Sequence, residues 1–75
     1  MDLNDIRSEI DKIDDELVRL FCQRMHVAAQ IADYKKANNL PIFQPARERV
    51  KLQDVAEKAG PEMANYTRVL YSMLF

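Results

Sequence analysis

Ten positions spaced alternately three and four residues apart run from Leu3 to Tyr34, and nine of the ten are apolar. Leu3, Ile6, Ile10, Ile13, Leu17, Leu20, Val27, Ile31 and Tyr34 form the series, and Arg24 is its one polar member. This period marks an amphipathic helix with a single narrow seam. Asp2 is suited to cap its start, and Asn38 and Asn39 followed by Pro41 supply a stop, which predicts a helix over about 3–39. Such a helix is roughly 55 Å long at 1.5 Å per residue. A chain of 75 residues buries only about 60% of its unfolded surface. A helix that long does not fit inside one globule of this size, so its ends must reach another chain.

The middle of this helix differs from its ends. Between Leu17 and Ala32 the faces outside the seam carry Val18, Phe21, Cys22, Met25, Ala28, Ala29 and Ala32. A helix apolar nearly all round is covered on several sides, so this stretch is expected at the centre of a multi-helix bundle. Pro45 suits the first position of a second helix over about 45–59, with Val50, Leu52, Val55, Ala56 and Ala59 as packing residues. Gly60 and Pro61 end it. A third helix is predicted from about 61, with Met63, Tyr66, Val69, Leu70, Met73 and Leu74 facing inward. Its uncapped apolar end, VLYSMLF, predicts that the helix is cut at 75 and is longer in a parent protein. The expected fold is all-α: one domain over 1–75, a three-helix chain with a very long first helix, forming an intertwined homodimeric bundle.

Composition narrows the function. A net charge of −1 gives no reason to expect nucleic-acid or membrane binding. The acidic start MDLNDIRSEID has no apolar run of the signal-peptide kind, and a soluble cytoplasmic protein is the expectation. A single cysteine and a single histidine rule out an internal disulfide and give no zinc-ligand spacing. Of the usual supports for a small scaffold, oligomerisation remains. Charge is unevenly distributed along the chain. Residues 2–16 hold seven acids against Arg7 and Lys12, whereas residues 34–51 hold Lys35, Lys36, Arg47, Arg49 and Lys51 against Glu48 alone. The second segment is either a solvated charged face or a local positive field that attracts a small anion.

Arg24 is the residue with the sharpest chemical meaning. Stripping water from an unpaired charge on an apolar seam is costly. Its partner is therefore a carboxylate of the protein, with Arg24 setting helix register, or an anionic ligand. Lys35 follows eleven residues later, three turns and about 20° round the helix, so the two share a face about 16 Å apart. Alone, Lys35 also reads as a solvated lysine complementing the helix dipole. Arg47 and Glu48 open the second helix, and spacing does not decide between a surface pair and a site; Arg49 and Lys51 read as surface. Arg7 lies about 25 Å from Arg24 and roughly 100° round the helix, so it is a surface residue or serves a site on another chain. Cys22 reads as a small buried hydrophobe and His26 as a solvent-facing or satisfied histidine.

The stretch IRSEIDKIDDELVRLFCQRMHVAAQIADYKK, followed by PIFQPARER, resembles the long first helix and the second-helix start of the all-α chorismate mutases. The signature is the I-D-x-I-D-x-E-L helix, the spaced Arg24 and Lys35, and the Arg47–Glu48 pair. The resemblance implies a chorismate mutase, either free-standing or the N-terminal domain of a larger enzyme of aromatic amino-acid biosynthesis such as a chorismate mutase/prephenate dehydratase. It implies a homodimer with no cofactor or metal, in which Arg7 reaches the partner's site and Arg24 and Arg47 bind the carboxylates of dianionic chorismate. Lys35 would donate to the ether oxygen and Glu48 would hold the ring hydroxyl. Gln44 stands where several relatives carry an aspartate beside that hydroxyl. The late third-helix polar residues of the family have no counterpart before Phe75, so these 75 residues are expected to be weakly active or inactive on their own. The alternative is a mutase-like helical module for dimerisation or regulation. A plain coiled-coil spacer is disfavoured by the all-round apolar middle of the first helix.

Overall fold

A computed structural model describes residues 1–75 as three helices with no strand: α1 (Leu3–Ala37), α2 (Pro45–Ala59) and α3 (Ala64–Leu74). The chain divides into two compact units, Met1–Ile42 and Phe43–Phe75.

The first unit is α1 and the turn that ends it. Asp2 and Asp5 form a reciprocal capping box, the Asp5 N–H donating to Asp2 Oδ1 at 2.9 Å and the Asp2 N–H to Asp5 Oδ2 at 3.2 Å. Two donors otherwise left without partners at the helix start are thereby satisfied. The other end closes two residues earlier than the sequence predicts. Asn39 takes a left-handed backbone, φ 55°, which turns the chain out of the helix. The Leu40 N–H then donates to the Lys35 carbonyl at 2.8 Å and the Asn39 N–H to the Lys36 carbonyl at 3.4 Å. This is a Schellman turn with asparagine where glycine is usual. The Asn38 side chain adds a bond from Nδ2 to the Tyr34 carbonyl at 2.8 Å.

Within the single chain no residue of α1 is buried. Its seam lies open, with Ile13 and Leu17 more than half exposed and Val18, off the seam, likewise. Cys22 is also exposed in the single chain, where a small buried hydrophobe was the expectation. His26 is exposed, 3.4 Å from Gln30.

The second unit pairs α2 with α3. Val55 and Ala56 are its buried residues, Leu52 is half-buried, and Val50 and Ala59 are exposed. Gly60 adopts φ 87°, a conformation that favours glycine, and its N–H caps α2 by donating to the Ala56 carbonyl at 3.2 Å. The third helix begins at Ala64, later than the predicted start near 61. Residues 61–63 form a turn closed by the Met63 N–H on the Gly60 carbonyl at 3.2 Å. The Met63 carbonyl then accepts from both the Thr67 N–H at 2.9 Å and Thr67 Oγ1 at 2.8 Å.

The packed face of α3 also differs from expectation. Ala64, Thr67, Arg68, Tyr71 and Leu74 are the half-buried residues, whereas Tyr66, Val69 and Met73 are 73%, 63% and 81% exposed. Small side chains at Ala64 and Thr67 permit close approach to α2. The larger apolar stripe is left outward.

Candidate active site

Only four of the residues of α1 are half-buried: Arg24, Ala28, Ala32 and Lys35. Their spacings of four, four and three put them on one face in successive turns. The two cations therefore sit at either end of a short stripe whose middle is two alanines. Alanine leaves room above the helix, and arginine and lysine are residue types whose aliphatic stems cover apolar surface while the charge stays near water. Arg24 also lines a groove on α1 with Leu20, Gln23, Val27, Ala28 and Ile31. Sequence spacing identified the two cations. Ala28 and Gln23 were not singled out as groove-lining residues; for Ala28 its one-turn spacing from Arg24 was the available signal.

Arg7 is exposed on the same continuous helix, four to five turns before Arg24. The structure does not bring it to the Arg24–Lys35 stripe. Arg47 and Glu48 lie in the first turns of α2, Arg47 exposed and Glu48 half-buried. Pro45 at the start of α2 presets the helical backbone, and Glu48 is an acid near the positive end of the helix dipole. Gln44 is the N-cap residue; its carbonyl accepts from the Glu48 N–H at 3.2 Å and its side chain makes no capping bond.

Surface ion pairs occupy other charges. Arg19 holds Glu16 at 2.8 Å, and the Arg19 hydrogen bonds keep the Glu16 carboxyl below its usual range. Lys58 and Lys51 lie 3.0 and 3.5 Å from Asp54, and the Lys58 hydrogen bond is the main cause of a lowered Asp54 pKa. Lys51 is thus tied to its own helix, and Arg49 is exposed, as expected for surface residues. No helix is long and apolar enough to cross a membrane.

The chain is all-helical, with Arg24 and Lys35 on one face of α1 and Arg47 and Glu48 in the first turns of α2, which places it in the class of small all-α domains. Residues 6–74 match the model of the family described as chorismate mutase type II. The chain belongs to that family. It is 46% identical over 61 residues to a protein named T-protein from Haemophilus influenzae, a match covering 77% of this chain and 16% of the relative. It is 46% identical over 48 residues to a bifunctional chorismate mutase/prephenate dehydratase of Aquifex aeolicus, covering 64% of this chain and 13% of the relative. A chorismate mutase of Methanocaldococcus jannaschii is 36% identical over 47 residues, 63% of this chain and 48% of that protein. The chain thus spans less than half the length of each of these relatives. No solved structure matches it significantly.

Proposed function

We propose that this protein is a chorismate mutase, converting chorismate to prephenate within aromatic amino-acid biosynthesis. The observation that carries the proposal is the Arg24–Ala28–Ala32–Lys35 stripe, the only half-buried face of α1, in a chain of this family. The reaction is a unimolecular pericyclic rearrangement. The ether carbon–oxygen bond breaks as a carbon–carbon bond forms, and no proton or electron is exchanged with the protein. The enzyme has two tasks. It must hold a flexible dianion in its reactive chair-like shape, which is catalysis by orientation. It must also stabilise the negative charge that grows on the ether oxygen, which a fixed cation does well in a site with little water.

In this reading Arg24 and Arg47 hold the two carboxylates, Lys35 donates to the ether oxygen, and Glu48 and Gln44 face the ring hydroxyl. Gln44 is neutral, so it contributes hydrogen bonds there without a second negative charge beside Glu48. The site is completed by a second copy of the chain, whose Arg7 reaches the anion. The distance between Arg7 and Arg24 along one helix supports a contribution from another copy, and the open seam of α1 supports the pairing.

The test is direct. Chorismate is added to the purified protein, and its loss and the appearance of prephenate are followed. Weak catalysed conversion, above the spontaneous rate, is expected. A protein that is a folded dimer yet gives no acceleration would instead be a helical assembly module.

A further inference from the structure

Lys35 sits two residues from the end of α1, where a helix ordinarily frays because its last carbonyls have no partners within the helix. In this structure that end is tied by a set of local bonds. The Leu40 N–H reaches back to the carbonyl of Lys35 itself at 2.8 Å, and the Asn39 N–H reaches that of Lys36 at 3.4 Å. The backbone N–H and side-chain Nδ2 of Asn38 both donate to the Tyr34 carbonyl, at 3.1 and 2.8 Å. The bond from Leu40 to the Lys35 carbonyl depends on one backbone residue, because the chain must turn at Asn39 to bring the Leu40 N–H back. Asn39 is the only residue other than glycine with positive φ in the chain. Asparagine tolerates that conformation better than most residues, whereas a β-branched side chain is strongly disfavoured in it. Such outliers persist where the surrounding structure holds them, and they occur often beside functional groups.

We infer that Asn39 is a positioning residue for Lys35: its left-handed backbone closes the turn that holds the last helical carbonyls and thereby fixes where the lysine ammonium lies. The inference rests on the proposed mutase reading, in which Lys35 meets the charge that develops on the ether oxygen. Lysine is a compact charge on a flexible four-carbon stem, so its precision depends on a backbone that does not fray. Misplacement of such a contact by about 1 Å costs up to roughly 100-fold in rate. The contact matters mainly in the transition state, so its loss lowers kcat more than it raises KM.

Four forms of the protein test this: wild type, Lys35→Ala, Asn39→Val and Asn39→Gly. Steady-state kinetics on chorismate are measured for each, together with amide hydrogen exchange at Lys36, Ala37 and Leu40. Asn39→Val is expected to speed exchange at Leu40 and to lower kcat roughly 10- to 100-fold with little change in KM. Asn39→Gly adopts the left-handed turn freely and is expected to retain both protection at Leu40 and the wild-type kcat. A normal kcat in Asn39→Val, beside an inactive Lys35→Ala, overturns the positioning role and leaves the mutase reading standing. An equal loss of kcat in Asn39→Gly, with Leu40 still protected, overturns it as well, because the asparagine side chain would then be the active part. An inactive wild type, or an active Lys35→Ala, removes the mutase role of Lys35 and this inference with it.

Discussion

At the scale of the residue, Arg24 concentrates the question of function. It interrupts a seam that is otherwise apolar, and it is half-buried in a helix whose other side chains are mostly exposed. Replacing it by alanine separates structure from chemistry. If its partner is the substrate dianion, Arg24→Ala should lower kcat/KM by about 100-fold or more, since a desolvated charged contact is worth several kcal/mol in the transition state. The same change should leave folding stability unchanged or raised, because a charge that resists desolvation has been removed from an apolar seam. Arg49→Ala, on the exposed side of α2, serves as the control and should behave as wild type. Steady-state kinetics and thermal melts on the two variants check both halves. Near-normal turnover with lowered stability would assign Arg24 to helix register.

At the scale of the element, the helices and their caps follow from short-range chemistry. The Asp2–Asp5 box is the plainest case, two side chains and two N–H groups satisfied within one turn. Asp2→Ala should destabilise the protein by about 1 kcal/mol. For a domain of this size that corresponds to a melting point lower by roughly 4–8 °C, read by calorimetry or circular dichroism. No change would mean that the first turn of α1 is frayed in solution. The start of α2 at Pro45 was legible because proline acts on its own backbone. The end of α1 and the start of α3 were less so. Asn38, Asn39 and Pro41 signal a stop without saying which residue turns left-handed, and Gly60–Pro61 signals a turn without giving its length. The face of α3 was misread for a different reason. That helix has apolar side chains on several sides, so periodicity alone does not select the side that packs.

At the scale of the whole molecule, the apolar side chains left open on each unit are the decisive feature. An obligate dimer interface covers about 2,000–5,000 Å² in total and is rich in such side chains. The open seam of α1 and the stripe Tyr66–Val69–Met73 of α3 supply apolar surface for it. Sedimentation at micromolar concentration should therefore give a dimer, and a folded, stable monomer would sink the proposed assembly. Arg7 offers a finer test. Arg7→Ala and Arg24→Ala, each inactive alone, are unfolded and refolded as a mixture. If sites are shared, one site of each heterodimer joins an intact Arg24 to an intact Arg7 of the other copy, and the second site carries both lesions. Activity should return, to about half per heterodimer if the sites act independently. A mixture that contains heterodimers and stays inactive would show that Arg7 does not act across the interface.

The sequence by itself determined the helical class, the length of α1 and the shared face of Arg24 and Lys35. Helix periodicity converts spacing into position, and capping and proline effects act within a turn, so these features need no knowledge of distant neighbours. Only the tertiary structure decided that α3 packs on α2 through Ala64, Thr67 and Tyr71. It also decided that Asn39, of two adjacent asparagines, carries the left-handed turn. In these cases several local solutions are nearly equal in free energy, and the choice among them falls to contacts and hydrogen bonds that form only when the chain has folded.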